Sequence, residues 1–332
     1  YYRFTDGALT LSPVALETGS QTYYSNLIDL SNKGVEIEVS GDIIRNSDWL
    51  WTSSFNIAFN RNKIEDLNGA TLASYQIDQF VKGKPAGALL GYVVDGIFQS
   101  DDEADKYTYN ARIANGLDPT DNSIYYQDAM TGAGDYKYRD LTGDGRITKD
   151  DRRIIANPEP NFFGGFFNSV SYKNWNLAVV FQFSQGAEVM WNELSMSSFG
   201  NLGYSIDREL YHNTWTSENK DARYARLVTL DPGGNSMRYS DRYVFDASYL
   251  RLKNITLSYN LPANWLKKIR LETAQLFVST SNLWTWTNWP GLDPELMGDD
   301  VRVGTNPVQQ AVFSNDNYPL SKTFTFGVKV SF

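Results

Sequence analysis

The chain has 332 residues, a formal net charge of −9 and an aromatic content of 14%. It contains no Cys and a single His, His212, so disulfides and thiol chemistry are excluded and His-based metal or triad catalysis is disfavoured. The negative charge argues against a basic nucleic-acid-binding face, and no apolar run is long enough for a transmembrane helix.

Alternation of apolar and polar residues with a period of two predicts strands in several segments of the chain. Residues 1–7 resemble the end of a strand, and 87–100 are strand-like. The alternating runs at 34–44 and 49–62, joined by a four-residue turn, predict a hairpin. Further strands are predicted at 162–172, 175–186, 248–260, 271–283 and 322–332.

The terminal strand is the most regular of them. Apolar residues occupy every second position from Phe324 through Phe326, Val328 and Val330 to Phe332. Chain termini usually fray, whereas the last strand of a closed membrane barrel is paired on both sides. The terminal strand therefore favours a transmembrane antiparallel β-barrel.

The connections between the predicted strands alternate in length. Those at 45–48, 173–174 and 261–270 are short. The long ones are 8–33, 63–160, 187–246 and 284–320. Short periplasmic turns and long extracellular loops are typical of outer-membrane barrels, so we expect these four segments to be extracellular loops. The alternative is a soluble β-protein with a buried core face.

Short turns on the periplasmic side would place several aromatic residues at one membrane interface. They are Trp49, Tyr172, Trp175, Tyr259 and Phe332. Such residues form aromatic belts in outer-membrane barrels. Alternatively, they are ordinary core aromatics beside hairpin turns.

About eight strands can be counted, and the polar face has few large side chains with which to fill a small closed barrel. An open sheet of this size would leave two unpaired edges. We therefore expect residues 1–332 to be the carboxy-terminal part of a larger barrel, completed by a missing segment or a separate chain.

Three stretches resemble one family, the SusC-like (RagA-like) TonB-dependent transporters. The first begins at Gly134 and reads GDYKYRDLTGDGRITKDDRRIIANPEPNFFGGF. The second, at 247–262, reads ASYLRLKNITLSYNLP, and the third, at 281–295, reads SNLWTWTNWPGLDPE. Their order and spacing match the family across the chain, with one departure at Ala156-Asn157, where the family usually has a Gly before the Pro.

The resemblance implies an all-β fold, the carboxy-terminal segment of a 22-stranded plugged barrel in the outer membrane of a Gram-negative bacterium. It implies active import of a glycan or another oligomeric nutrient, such as a peptide, with a SusD-like surface lipoprotein as lid. Energy would come from TonB through an amino-terminal plug that this chain does not include. The protein would not be an enzyme. A siderophore-type receptor and a soluble extracellular glycan-binding or glycan-cleaving β-protein are the alternatives.

One loop has the spacing of an EF-hand. Hard oxygen ligands at these offsets suit Ca²⁺, which would stiffen the loop. The candidate ligands are Asp140, Thr142, Asp144, the Arg146 carbonyl, Thr148 and Asp151, with Gly145 at the sharp turn. The alternative is a Gly-Asp-Gly turn whose carboxylates only cap backbone amides.

A second candidate site combines aromatic and acidic residues. Trp284, Trp286 and Trp289 alternate in a predicted loop beside Asp293 and Glu295, where they could contact ligand or lid. Alternatively, Trp284 and Trp286 finish the outer aromatic girdle and Asp293-Pro294 shapes a turn. Neighbouring acidic pairs elsewhere are interpreted as solvated, and no catalytic residue is predicted.

Overall fold

The computed structural model describes residues 1–13, 17, 22–69, 80–191, 194, 206–235, 238–267, 270–295, 312–313 and 320–332. The strands up to the second long connection are β1 (Tyr2–Pro13), β2 (Thr22–Arg45), β3 (Trp49–Asp66), β4 (Leu89–Gly91), β5 (Val94–Ile97), β6 (Tyr136–Tyr138), β7 (Arg153–Ala156), β8 (Phe162–Tyr172) and β9 (Trp175–Gln185). The later strands are β10 (Glu188–Trp191), β11 (Val244–Asp246), β12 (Tyr249–Asn260), β13 (Thr273–Thr287), β14 (Val312–Phe313) and β15 (Thr323–Ser331). The helices are α1 (Asp101–Ala114), α2 (Arg208–Asn213) and α3 (Ala263–Leu266).

Eight of these strands form one antiparallel sheet in the order β1-β2-β3-β8-β9-β12-β13-β15. Each strand of the sheet pairs with the next strand of the sheet along the chain, as in an up-and-down barrel wall. The predicted hairpin and the predicted strands from 162 onward all lie in this sheet. The fold class expected from the sequence, all-β and antiparallel, is confirmed.

The prediction that residues 8–33 form a loop is wrong for most of the segment. β1 and β2 stay paired from Tyr2 opposite Lys33 to Pro13 opposite Thr22. The pairing has register shifts near Ala8 and Asp29, and such irregularities interrupt the alternation of period two that predicts a strand. Residues 284–287, also predicted as loop, belong to β13.

One face of the sheet is apolar across six strands. A continuous cross-strand row runs from Val39 through Phe55, Phe166, Phe181 and Leu252 to Trp284. Val39, Phe55, Phe166 and Trp284 of this row are exposed, while Phe181 and Leu252 are half-buried. On β15, Phe326 is 76% and Val328 65% exposed. No described element packs on this face, which we call the outer face.

A second row on the outer face marks one end of the sheet. Trp49, Tyr172, Trp175 and Tyr259 lie opposite one another on four successive strands. The rings of Trp49 and Tyr172 are 4.4 Å apart, and those of Trp175 and Tyr259 are 4.6 Å apart. The predicted aromatic belt therefore exists as a row, with Phe332 just beyond the end of β15.

The opposite, inner face is mostly polar, with Phe163 and Phe167 of β8 among its apolar exceptions. The amide of Asn176 donates to Ser169 and Ser171 on the adjoining strand, at 3.0 and 2.8 Å. The hydroxyls of Thr256 and Ser279 lie 2.8 Å apart across β12 and β13. Because its side chains are polar and hydrogen-bond across the strands, the inner face suits water rather than hydrocarbon.

The long connections fold into one body at the end of the sheet opposite the aromatic row. We call the described residues of 80–160 and 187–247 the cap. Its hydrophobic core is rich in tyrosine, with Tyr136, Tyr138, Tyr224 and Tyr243 completely buried. The hydroxyls of Tyr136 and Tyr243 are 3.0 Å apart, and the rings of Tyr224 and Tyr243 stack at 5.6 Å. Segments predicted as loops therefore carry a packed core.

A buried ion pair joins the two halves of the cap. The carboxylate of Asp135, 1% exposed, accepts two hydrogen bonds from the guanidinium of Arg226, at 2.9 and 3.0 Å. The amide of Asn235 and the backbone N–H of Gly132 also donate to this carboxylate. Such a bidentate pair fixes the distance and the angle between the two side chains. Residues 132–138 and 224–235 are therefore held in a fixed position relative to each other.

No helix in the described part of the chain is long and apolar enough to cross a membrane.

Candidate ligand site beneath the cap

A cavity of about 570 Å³ lies where the cap meets the sheet. Its described lining comes from β2, β3, β8, β9 and β12, from the segment 158–160 and from Glu295. The polar side chains among its walls are Asn32, Asn60, Asn62, Glu159, Gln182, Ser184, Tyr249 and Glu295. Convergence of this many polar groups on one concave space makes it the best candidate for a ligand site.

Glu159 forms one wall and is 8% exposed. β3 runs past the start of β8, so the backbone N–H of Asn62 has no strand partner there, and the Glu159 carboxylate accepts it at 3.0 Å. The Asn60 amide donates to the same oxygen at 3.0 Å. Burial raises the pKa of Glu159, and the hydrogen bond from Asn62 opposes that rise.

Behind Glu295, which lines the cavity, lies Arg251 on β12, which is 1% exposed. Its guanidinium forms ion pairs with Asp293 at 2.5 Å and with Glu295. The Thr285 hydroxyl accepts a further hydrogen bond from Arg251 at 3.0 Å. Arg251 thus fastens the segment after β13 onto the inner face.

Glu295 is also held by neighbours that line the cavity. The amide of Gln182 donates to Glu295 at 3.3 Å and to the Tyr249 hydroxyl at 3.2 Å, and Lys253 lies 3.3 Å from the carboxylate. The charge of Glu295 is therefore compensated within the wall.

The five residues of the predicted aromatic and acidic site do not share one surface. Trp284 and Trp286 stack on each other on the outer face, with ring centroids 6.2 Å apart. Trp289 is 6% exposed and packs against Trp191 in the cap core. Asp293 and Glu295 belong to the Arg251 cluster. Ligand or lid contact by these residues stays a prediction, and only Glu295 reaches the cavity described above.

The predicted calcium loop is held by its own backbone. The buried carboxylate of Asp151 accepts hydrogen bonds from the N–H groups of Leu141, Thr142 and Thr148, at 2.9, 3.0 and 2.7 Å. Asp140 accepts from the N–H groups of Gly143 and Gly145. This is the amide-capping arrangement that the sequence left open as an alternative.

The other residues of the loop make local contacts. Asp144 accepts from the N–H of Arg146 at 2.8 Å, and the Thr148 hydroxyl accepts from the N–H of Asp150 at 3.2 Å. Within the described residues, no group of three or more Asp, Glu or His side chains is placed to hold a metal ion. Ca²⁺ binding by this loop stays a prediction.

The sequence did not single out Asn32, Glu159 and Gln182, which line the cavity, or Arg251, which holds Glu295 in place. The only signal at Arg251 in the sequence is a charged residue between two leucines, on a strand in which apolar and polar residues alternate. Its carboxylate partners lie 42 and 44 residues away in sequence. That distance is why the pairing cannot be derived from spacing.

Comparison with known proteins supports the family named above. The TonB-dependent receptor P3 of Formosa agariphila is 31% identical over the whole chain, which covers 32% of that receptor. The TonB-dependent receptor SusC of Bacteroides thetaiotaomicron is 24% identical over the whole chain, which covers 29% of it. The resemblance to SusC-like TonB-dependent receptors is confirmed. No family model matches the chain.

Solved structures show the same fold. The RagAB peptide transporter superposes with a TM-score of 0.70 at 23% identity, covering all of this chain and 32% of that one. The RagAB peptide importer in its closed-closed state gives a TM-score of 0.68. The chain therefore spans about a third of the length of the relatives that it matches. The relatives found by sequence are receptors by name.

Proposed function

We propose that this chain forms part of the wall and cap of a TonB-dependent importer that carries a glycan or another oligomeric nutrient across the outer membrane. The observation that carries the proposal is the contrast between the two faces of the sheet. The outer face carries a row of apolar side chains across six strands and is uncovered by any described element, while the inner face is mostly polar and hydrogen-bonded.

A soluble β-protein would have to cover the outer face. An exposed apolar surface that crosses six strands exceeds what monomeric soluble proteins display and would promote aggregation. Lipid on the outer face and water on the inner face remove that conflict. The likeness to SusC and to the RagA-type fold supports the same conclusion.

The remaining parts of the proposal concern the whole transporter. TonB would drive import through segments beyond this chain, and the cap would lie outside the cell against a SusD-like lipoprotein lid. A packed cap suits such a role, because a rigid surface binds a partner without first having to order its loops. The cavity beneath the cap would then face the import path.

Uptake measurements in the bacterial host test this proposal. We expect the full-length protein to fractionate with the outer membrane and to co-purify in detergent with a surface lipoprotein. Removal of TonB should reduce uptake of the oligomer that supports transporter-dependent growth to the level of a strain lacking the transporter. Recovery in the soluble fraction, or uptake that persists without TonB, would contradict the proposal.

A further inference from the structure

The short connections of the sheet lie side by side at the end that carries the aromatic row. The backbone N–H of Lys173 donates to the carbonyl oxygen of Asp48 at 2.8 Å, which joins the first short turn to the second. The N–H of Asn260, at the end of β12, donates to the carbonyl oxygen of Asn174 at 2.8 Å, which joins the second turn to the third. The three turns therefore form one continuous edge, which we call the turn edge.

The third turn, between β12 and β13, contains α3 and an exposed tryptophan. Leu266 of α3 is buried, whereas Trp265 beside it is 61% exposed. Tyr259, the member of the aromatic row on β12, lies six residues before Trp265 and one residue before the end of the strand. An indole combines an apolar ring with an N–H donor and is enriched where hydrocarbon meets water, so Trp265 suits the boundary that the row marks.

The same turn is basic in an acidic protein. Residues 261–272 contain Lys267, Lys268 and Arg270 but only one acidic residue, Glu272, whereas the chain as a whole has a net charge of −9. Lys267 and Arg270 are exposed. Within the described part of the chain, neither of these two side chains has a hydrogen-bond or ion-pair partner. Their charges are available to an anionic group from outside the chain.

Lys173 brings a third cation to the turn edge. Its ammonium lies 5.2 Å from the ring centroid of Tyr172, a member of the aromatic row, and it forms no ion pair with a described carboxylate. Arg45 on the first turn differs, because Asp42 neutralises it. The uncompensated positive charge therefore lies on the second and third turns, next to the aromatic row.

The depth of the third turn matches the headgroup layer of a bilayer. The hydrocarbon core is ~30 Å thick and the whole bilayer ~40–45 Å, so each headgroup layer is roughly 5–8 Å deep. α3 has four residues, which corresponds to a length of about 6 Å. With Tyr259 at the edge of the hydrocarbon, the side chains of Lys267 and Arg270 reach the level of the lipid phosphates.

We infer that the third turn is a binding site for an anionic phospholipid, whose phosphate is held by Lys267, Arg270 and Lys173 while Trp265 lies at the start of the acyl chains. The inference goes beyond the proposed import function and rests only on the membrane-spanning wall which that function requires. A guanidinium matches two phosphate oxygens at once, and an ammonium adds a point charge.

The site should distinguish lipids by net charge. Phosphatidylethanolamine has an ammonium of its own, which opposes the three cations, whereas phosphatidylglycerol has a net negative charge. A lipid is favoured over an acidic protein segment because the turn is continuous with the aromatic row and with the outer face. A phospholipid at this depth contacts the cations, Trp265 and the apolar face together.

Photocrosslinking on the full-length transporter tests the inference. Trp265 is replaced by p-benzoylphenylalanine, and the protein is reconstituted into nanodiscs made of equal amounts of phosphatidylethanolamine and phosphatidylglycerol. After irradiation, mass spectrometry counts the adducts of each lipid. The test variant combines Lys267→Gln with Arg270→Gln. The matched control removes two exposed lysines of the cap, Lys106→Gln and Lys220→Gln.

We expect phosphatidylglycerol adducts to exceed phosphatidylethanolamine adducts about fivefold, and the preference to fall below about twofold in the Lys267→Gln, Arg270→Gln variant. Salt at about 1 M should have a similar effect, because it shortens the screening length from ~10 Å at about 0.1 M to ~3 Å. The cap control should keep the full preference. Hydrogen exchange of β12 and β13 should match the wild type in both double variants, which excludes unfolding as the cause.

Three results would overturn the inference in distinguishable ways. Adducts in the bulk ratio of the two lipids, or a preference that survives in the Lys267→Gln, Arg270→Gln variant, would remove the site while leaving the import function intact. A crosslink from position 265 to a protein in living cells, with no lipid adduct, would replace the phospholipid by a protein partner. A transporter that does not insert into nanodiscs would contradict the membrane-spanning wall, and the proposed function would fail together with the lipid site.

Discussion

At the scale of single residues, Arg251 is the cation that holds two acidic residues, Asp293 and Glu295, beside the candidate site. Its guanidinium is almost completely buried and neutralises Asp293 and Glu295 at once. The net stability of a buried ion pair is small, because desolvation offsets the attraction, but removing one partner leaves an uncompensated charge.

We therefore expect Arg251→Met to destabilise the junction between β12 and residues 288–295 by about 3–5 kcal/mol. Hydrogen exchange measured by mass spectrometry on the detergent-solubilised transporter reports this as faster exchange in these segments. Arg45→Ala is the matched control, because Arg45 forms an ion pair with Asp42 in which its side chain is 73% exposed, and exposed pairs contribute about 0–1 kcal/mol. Equal effects of Arg251→Met and Arg45→Ala would contradict the stabilising role of the buried Arg251 ion pairs.

Asp151 makes the cap sensitive to acid. Burial alone would raise its pKa, but hydrogen bonds from the backbone of Thr148, Thr142 and Leu141 and from the Thr142 hydroxyl outweigh burial and lower it. A lowered pKa means that the ionised form stabilises the folded loop. That stability is complete above the ordinary value of 3.8 and is lost as the pH falls through the lower folded-state pKa.

Asp151→Asn should remove this pH dependence and destabilise the loop by about 1–3 kcal/mol at neutral pH, since an amide cannot accept all of these hydrogen bonds. Limited proteolysis of residues 140–151 between pH 3 and 7 measures both effects. Asp105→Asn on the exposed surface of α1 should change neither. If the loop of the Asp151→Asn variant kept the acid profile of the wild type, the capping role of Asp151 would be wrong.

At the scale of elements, the cap is a folded unit whose two halves meet at Asp135 and Arg226. Asp135→Ala would leave the guanidinium of Arg226 and the amide of Asn235 without their shared acceptor. We expect the loss to open the cap, so that trypsin cleaves within 223–235 while the sheet remains intact. Cleavage at the wild-type rate would show that the hydrophobic core alone holds the two halves together.

Close approach of strands sets a limit on side-chain size at Gly164 on β8. A Cβ atom there would lie 2.1 Å from the backbone oxygen of Asn56 and 2.8 Å from the Phe183 ring. We expect Gly164→Ala to disturb the β3–β8 ladder by about 1–3 kcal/mol, seen as faster amide exchange in both strands. Gly41→Ala is the control, because no atom lies within 4 Å of a Cβ at that position, and it should leave exchange unchanged.

The elements also show what the sequence could predict. Apolar alternation located the strands of the eight-stranded sheet from 34 onward, because each of these strands separates two environments. It found only the first residues of β1 and missed the start of β2, where register shifts near Ala8 and Asp29 interrupt the period of two. The cap could not be derived from the sequence, because its core joins Tyr136 and Tyr243, residues more than 100 positions apart, without any local periodicity.

The predictions about individual sites were limited in the same way, because contacts between distant residues leave no local pattern in the sequence. The spacing of the 140–151 loop left open the direction in which its carboxylates point, since amide capping and metal binding use the same residues. Trp284 and Trp286 lie on the outer face, as one of the two alternatives had it, because β13 extends further than its alternation suggested. Residues 296–311 and 314–319 of the predicted loop 284–320 lie outside the described residues.

At the scale of the whole molecule, the sheet has two edges, β1 and β15, and the chain spans about a third of its relatives. A barrel completed by further strands would pair both edges and place the outer face entirely in lipid. The aromatic row and the cap would then lie at opposite ends of the membrane-spanning wall. Which side of the wall faces lipid is the central claim of this account.

The most direct test places spin labels on neighbouring residues of β9. The chain contains no Cys, so Leu177→Cys and Ala178→Cys each introduce one label site, in a transporter whose other segments are made free of Cys. In reconstituted outer-membrane lipid, the label at 177 should be relaxed strongly by oxygen and weakly by a water-soluble nickel chelate, and the label at 178 should not show this lipid signature. Equal access of both labels to the chelate would contradict a lipid-facing outer surface.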